Sequence, residues 1–132
     1  MGMAYDPATK SIVLFGGANN DKQYLADTWV WQGGWVPKAP ATSPSARVNL
    51  GMAFDGRNIV LFGGNNDSGT SLGDTWTWDG ANWSQQFPAT SPPARDSIMT
   101  YDAGTGNALL FGGSNSTGSL GDTWTWDGAT QT

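Results

Sequence analysis

The sequence predicts an all-β protein made of a four-stranded unit that is repeated along the chain. Three observations support this prediction: landmarks recur about every 48 residues, each interval contains four short strand signals, and no stretch has the apolar spacing of an amphipathic helix. Gly, Asn, Thr and β-branched residues, which favour turns and strands, dominate the intervals. Antiparallel strands repeated at nearly constant spacing favour a radial array of small sheets.

Four landmarks define the repeat. Phe-Gly-Gly occurs at 15–17, 62–64 and 111–113, and Asp-Thr-Trp-x-Trp occurs at 27–31, 74–78 and 122–126. A Met followed by Ala or Thr, an aromatic residue and Asp begins at 3, 52 and 99, and Ala-Thr-Ser-Pro-x-Ala-Arg ends at 47 and 95. The same order and spacing in each interval indicate one structural unit in three copies, with boundaries at about 1–45, 46–93 and 94–132.

The four strand signals of each unit come in a fixed order. The first lies at 2–5, 50–54 and 98–101, and the second is an apolar run at 12–15, 59–62 and 108–111, which predicts a strand covered on both faces. The third, at 28–31 and its copies, places both Trp on one face because side chains alternate along a strand. The fourth begins at Trp35 or Trp83. Its counterpart in the third unit is expected where the sequence stops, so eleven strands are predicted rather than twelve.

Composition excludes several kinds of function. The chain has no Cys and no His, and its 11 acidic residues, all Asp, outnumber 6 Lys and Arg to give a net charge of -5. Disulfides, thiolate or imidazole metal sites and catalysis through His are therefore excluded. The acidic balance is unlike that of a nucleic-acid-binding surface. No membrane-spanning run and no signal peptide is recognisable, so we expect a soluble protein with no nucleic-acid or membrane partner.

The Gly-Gly pair, the Asp-Thr-Trp-x-Trp motif and the further Trp together resemble the kelch repeat, in the form found in bacterial kelch and galactose-oxidase-like propeller domains. The resemblance covers the whole chain and implies a partial β-propeller whose blades are four-stranded sheets, with the first strand of each blade nearest the central axis. It implies structural roles for the paired Gly and Trp, which bend the chain and fill the space between blades. These residues are Gly16, Gly17, Gly63, Gly64, Gly112, Gly113, Trp29, Trp31, Trp76, Trp78, Trp124 and Trp126.

Three blades do not close a propeller ring, so two apolar end faces are expected to be exposed. A homodimer would supply six blades, a number that the kelch family uses, and is the assembly we expect. The alternatives are that the chain is a segment of a longer natural propeller or that it was engineered, and the sequence leaves these origins open.

Binding residues are expected in the loops on one rim of the ring, where loops on a rigid scaffold collect function. Arg47 and Arg95 are expected to face the channel mouth and to bind a carboxylate or phosphate, with a structural tie to a loop or a neighbouring Asp as the alternative. The Asn-rich loops add candidate binding residues: Asn19, Asn65, Asn66 and Asn115. The loop at 65–69 lacks the ligands of a calcium site, so no metal or cofactor is expected.

The function that these features favour is a non-catalytic scaffold that assembles with itself and binds a protein or glycan on its loop rim. The alternative, from another class, is part of a carbohydrate-active propeller enzyme whose catalytic residues lie in blades outside this chain. A unique acidic or Tyr residue facing the channel would favour the enzyme. Galactose-oxidase chemistry does not apply, since the chain has no His or Cys to reproduce the copper ligands.

Overall fold

The computed structural model describes Met1–Thr132 and consists of 13 β-strands joined by turns and loops. The first sheet contains β1 (Gly2–Asp6), β2 (Ser11–Phe15), β3 (Thr28–Trp31) and β4 (Trp35–Lys38), in that order and antiparallel. The second contains β5 (Gly51–Phe54), β6 (Ile59–Phe62), β7 (Thr75–Trp78) and β8 (Trp83–Gln86), with the same order and register. Each sheet is one blade, and the prediction of an all-β fold of four-stranded blades is confirmed.

The third blade contains β9 (Met99–Asp102), β10 (Asn107–Phe111) and β13 (Thr123–Trp126). The loop between β10 and β13 adds a two-residue hairpin of β11 (Ser114–Asn115) and β12 (Gly118–Ser119). A single bridge pairs Gln131 with Trp126 in the register in which Trp83 pairs with Trp78, so the counterpart of Trp83 is Gln131. This is the place where the sequence analysis expected the counterpart, but the residue there is not a Trp.

Successive blades pack face to face around their first strands, since β5 lies between β1 and β9. We call the face that a blade turns to the preceding blade its front face and the opposite one its back face. At the first junction, Val13 and Phe15 on the back of blade 1 cover the front of blade 2, where Trp83 lies with its ring centroid 5.5 Å from that of Phe15. The indole of Trp83 also donates to Thr28 Oγ1 at 2.9 Å. Burial of aromatic rings is thus the main apolar contribution to this junction.

The second junction repeats this arrangement with smaller side chains. Ala53 and Val60 on the back of blade 2 pack against Ala108 and Trp126 on the front of blade 3. The Trp126 indole donates to Asp55 Oδ2 at 2.9 Å, so a buried polar group has its partner across the junction. Each junction therefore combines an apolar core with one indole hydrogen bond.

The outer faces of the first and third blades have no neighbour. All four residues of β6 are buried, whereas β2 alternates between buried and half-buried because only one of its faces is covered. The side chains of Trp31 and Trp35 are 40% and 45% exposed, while Trp78 and Trp83, at the same positions of blade 2, are each 1% exposed. Position in the array, rather than residue type, decides the burial of these Trp.

The first glycine after the second strand of blades 1 and 2 is required because the segment that leads into the next blade crosses it closely. Gly16 has a φ of +67°, and a Cβ there would lie 2.6 Å from the Arg47 carbonyl oxygen. Gly63 has a φ of +69°, and its Cβ would lie 2.5 Å from the Arg95 carbonyl oxygen. Both the conformation and the close approach exclude a side chain. These glycines bring the two Arg into position.

Candidate functional site

Arg47 joins blade 1 to blade 2. Its backbone N–H donates to the Leu25 carbonyl at 3.3 Å and its carbonyl accepts from the Gly17 N–H at 2.9 Å, so blade 1 holds the main chain of Arg47 at the start of the second unit. Its guanidinium reaches blade 2, where Nη1 and Nη2 donate to the two carboxylate oxygens of Asp74 at 2.7 and 2.8 Å. Nη1 also donates to the Gly63 carbonyl at 3.1 Å. We call this set of contacts an arginine tie.

Arg95 makes the same tie between blades 2 and 3. Its N–H donates to the Leu72 carbonyl and its carbonyl accepts from Gly64 N–H. The guanidinium donates to both carboxylate oxygens of Asp122 and, at 3.0 Å, to the Gly112 carbonyl. Two independent copies with the same contacts show that the tie is a property of the repeat.

Both Arg residues are completely buried, with 0% of their surface exposed. The expectation that their guanidinium groups face the channel mouth is therefore wrong: Asp and carbonyl partners of the chain itself occupy the donors that an external anion would need. The structural alternative, a tie to a neighbouring Asp, is what the geometry shows. Burial of a charged group requires such pairing, because an unpaired charge in the interior is strongly unfavourable.

The carboxylates of the two ties are kept ionised. Burial tends to raise the pKa of Asp74, but hydrogen bonds from Arg47 and Trp76 and the charge of Arg47 hold that pKa below its ordinary value. Hydrogen bonds from Arg95 and Trp124 lower the pKa of Asp122 far below its ordinary value. Asp74 and Asp122 thus bond to guanidinium and indole groups of the chain itself.

Blade 1 has the acceptor half of an arginine tie without an Arg. Asp27 holds the position of Asp74 and Asp122, and its Oδ2 accepts from the Trp29 indole at 2.6 Å, as in the other two blades. Its carboxylate has no cation within ion-pairing distance, and the Gly16 carbonyl, the counterpart of Gly63, accepts no hydrogen bond. An open cavity of about 540 Å³ lies against Asp27, Gly16 and Trp35.

Three of the four candidate Asn residues stabilise the loops in which they lie. Asn19, Asn66 and Asn115 occupy equivalent positions, and the side-chain oxygen of each accepts backbone N–H groups of its own turn. Such local bonds are a common reason for Asn in turns. Asn65 instead donates to Asp96 Oδ1, in the segment before blade 3, at 2.7 Å. Recognition of a glycan through these residues stays a prediction.

The first strands of the blades line an apolar groove. Its volume is about 440 Å³, and Met3, Tyr5, Met52, Phe54 and Tyr101 are among the residues that line it. Neither Arg47 nor Arg95 lines this groove. The structure contains no helix long and apolar enough to cross a membrane.

Comparison with known proteins identifies the repeat. A family model described as the KLHDC2/KLHL20/DRC7 Kelch-repeats domain matches residues 1–132. The chain belongs to the kelch-repeat family. Among solved structures, that of YjhT is similar with a TM-score of 0.77 and 13% identity, over 99% of this kelch chain and 44% of the YjhT chain. The kelch chain described here thus spans less than half of that chain's length, and the likeness establishes a shared fold. No curated protein matches.

Sequence reasoning did not identify Asp74 and Asp122 as the partners of Arg47 and Arg95, although the sequence contains the signal. Each paired Asp lies 27 residues after its Arg, at 47 and 74 and again at 95 and 122. Comparing the spacing of Asp to Arg across the kelch repeats, rather than inspecting each Arg alone, would have found both ties.

Proposed function

We propose that this kelch chain is a non-catalytic scaffold that assembles with a second copy of itself through its two end faces. The observation that carries the proposal is the front face of blade 1. It presents Trp31 and Trp35, which are 40% and 45% exposed, in the places where blade 2 buries Trp78 and Trp83 against its neighbour. Exposed apolar surface of this extent, with a buried counterpart in the same molecule, indicates a docking face.

The back face of blade 3 has the complementary side chains. Leu109 and Phe111 occupy the positions of Val13 and Phe15, the two residues that cover the Trp cluster at the first junction. Phe111 is 58% exposed, whereas Phe15 is 0% exposed. A head-to-tail contact would therefore repeat a junction that the fold already makes twice. Two such contacts close a ring of two copies with six blades.

A further observation supports the non-catalytic part of the proposal. Nine of the eleven Asp side chains accept hydrogen bonds from groups of this chain, which supports structural rather than catalytic roles. These are Asp6, Asp27, Asp55, Asp74, Asp79, Asp96, Asp102, Asp122 and Asp127.

Sedimentation velocity on the purified chain tests this function. We expect a dimer whose fraction increases with protein concentration. Trp31→Glu should abolish it, because a carboxylate would be buried without a partner in the contact. Phe87→Glu is the matched control: Phe87 is 83% exposed on the middle blade, away from both end faces, and its replacement should leave the dimer intact. A folded chain that stays monomeric up to high micromolar concentration would contradict the proposal.

Ile98 should make the contact between two copies weaker than the two junctions inside the chain. A Cβ at Gly2 would lie 2.8 Å from Met52 Sδ, and a Cβ at Gly51 would lie 2.6 Å from Met99 Cγ, so each internal junction requires glycine there. The register of blade 3 places Ile98 at this position, and Met3 of a second copy would meet it. Excess volume in a packed contact costs about 1–3 kcal/mol. Ile98→Gly should therefore tighten the dimer about tenfold or more, and Ile98→Leu, which keeps the volume, should not.

A further inference from the structure

We propose that a groove at the outer edge of blade 2 binds a neutral saccharide. The groove lies between the adjacent ends of β7 and β8 and the segment 87–91, and its volume is about 320 Å³. Blade 2 is the middle blade, so the groove is separate from both end faces, and the proposal goes beyond self-assembly without depending on it. None of the four Asn residues that the sequence suggested for binding lines this groove.

Phe87 is the most exposed large apolar side chain of the molecule. It is 83% exposed, more than the Trp residues of the end face, although both neighbours of its blade are present. In blade 1, strand pairing places Pro-Lys-Ala at 37–39 where blade 2 has Gln-Gln-Phe at 85–87. The repeat therefore folds without an aromatic ring and two amides at these positions, which indicates that 85–87 serve a purpose other than the fold.

The polar groups of the groove are of the kind that recognise hydroxyl groups. Gln86 Nε2 donates to Thr77 Oγ1 at 3.0 Å and to the Ser84 carbonyl at 3.3 Å, which fixes the amide and leaves its oxygen as an acceptor. Gln85 and Ser91 also line the groove and are exposed. An amide side chain and a hydroxyl can each donate and accept, which matches the neighbouring hydroxyl groups of a sugar ring.

Thr75 adds a buried polar group that the chain itself does not use. It lines the groove and is 1% exposed, and its Oγ1 hydrogen-bonds to no group of the chain. The counterpart in blade 1, Thr28 Oγ1, accepts from Trp83 of the next blade, whereas Gln131 has the place of Trp83 in blade 3. A buried hydroxyl without a partner is unfavourable, so a ligand hydroxyl that reached it would add a hydrogen bond that the free protein lacks.

The charges around the groove favour an uncharged ligand. Asp74 is the one charged residue that lines it, and both of its carboxylate oxygens accept from the Arg47 guanidinium. An anion would find no free cation there, and a cation would find no free carboxylate. The ring of Phe87 can pack against the flat C–H face of a sugar whose hydroxyls are equatorial, while the amides bond to hydroxyls at the edge of that sugar. The volume is at the lower end of the range of about 300–1,000 Å³ for ligand pockets and suits one or two sugar rings.

Cellotriose, a neutral trisaccharide of β-linked glucose with equatorial hydroxyls, is the probe. Saturation-transfer NMR with the intact chain reports which sugar protons lie against the protein. We expect saturable binding, with the strongest transfer to the C–H protons of one ring face, because that face packs on Phe87. Phe87→Ala and Gln85→Ala should each weaken binding at least fivefold, and Phe87→Trp, which keeps an aromatic face, should retain it.

Phe111→Ala is the matched control, because Phe111 is a 58% exposed Phe of blade 3 that does not line the groove, and its replacement should leave the affinity unchanged. Trp31→Glu, which should abolish the dimer, should also leave sugar binding unchanged, so the proposed function and this inference fail separately. Absence of saturation transfer to cellotriose, or equal affinity in Phe87→Ala and the parent chain, would overturn the inference. Equal losses in Phe87→Ala and Phe111→Ala would also overturn it, because binding would then follow exposed aromatic surface in general.

Discussion

The arginine tie between blades 1 and 2 makes a quantitative prediction for Asp74→Asn. Asp74 Oδ2 accepts two donors, Arg47 Nη2 at 2.8 Å and Trp76 Nε1 at 2.6 Å, and Oδ1 accepts Arg47 Nη1. The Asn side chain has one oxygen and one NH₂ group, whereas both oxygens of Asp74 accept from N–H donors. In either orientation, the NH₂ group would therefore face an N–H donor of Arg47 or Trp76. The substitution keeps the shape of the side chain but removes its charge, and it leaves the Arg47 guanidinium buried without a counterion.

The expected loss of stability in Asp74→Asn follows from how deeply Arg47 and Asp74 are buried. The Arg47 side chain is 1% exposed and that of Asp74 is 24% exposed. Removing one partner of a buried ion pair costs about 3–5 kcal/mol, and partial hydration of Asp74 favours the lower end, about 3 kcal/mol. Asp27→Asn is the matched control, since Asp27 has the same place in blade 1 but no cation. An exposed substitution of that kind changes the free energy of unfolding by no more than about 0.5 kcal/mol.

Guanidinium chloride unfolding, followed by circular dichroism and Trp fluorescence, measures both variants against the parent chain. A lower midpoint with an unchanged slope identifies a loss of stability, and a changed slope indicates that the two junctions no longer unfold together. The reasoning is refuted if Asp74→Asn and Asp27→Asn shift the midpoint equally, because the pair would then contribute nothing beyond the surface charge.

Two further predictions concern the same junctions. Trp76→Ala should destabilise the fold by about 3–5 kcal/mol, the usual cost of deleting a buried large aromatic side chain. Trp29 has the equivalent position in blade 1 but is only half-buried, so Trp29→Ala should cost less, about 1–2 kcal/mol. Equal losses of stability in thermal unfolding would show that Trp29 is as buried as Trp76. Acid should weaken the ties, because the pKa of Asp74 and of Asp122 lies below the ordinary 3.8 and the unfolded chain binds more protons in that range. The stability that the ties contribute is complete above about pH 4 and is lost as pH falls through the lowered pKa values. The denaturant concentration at the midpoint of unfolding, measured at a series of pH values from 6 to 2, should therefore decrease once the pH is below about 4. The decrease should be smaller in Asp74→Asn, which lacks one of the two carboxylates.

Local sequence patterns were sufficient to predict the strands. The predicted strands at 28–31, 59–62, 75–78 and 123–126 match β3, β6, β7 and β13. Those at 2–5, 12–15, 50–54 and 108–111 differ by one residue at one end, and that at 98–101 by one residue at each end. These segments combine side-chain alternation or a short apolar run with Gly, Asp and Asn turns, and both signals depend on residues close in the chain. Repetition of the pattern three times strengthened each prediction.

The site residues could not be predicted in the same way, because their roles depend on contacts between distant residues. A buried tie and an exposed anion site both need an Arg just before an inner strand. Only the position of Asp74, brought beside Arg47 from 27 residues further along, decides between them. Likewise, the register that places Gln131 opposite Trp126 follows from the length of the turn between them.

The sequence by itself determined the kelch repeat, the order of strands within each blade and the absence of Cys and His chemistry, since all three depend on residue type and short-range spacing. The tertiary structure alone decided which of the repeated residues are buried. Trp31 and Trp78 stand at the same position of the repeat, as do Asp27 and Asp74, yet one member of each pair is exposed and the other is covered or paired. The physical reason is that burial and pairing are contributed by the neighbouring blade, and the neighbours of a residue in an array depend on its place in that array.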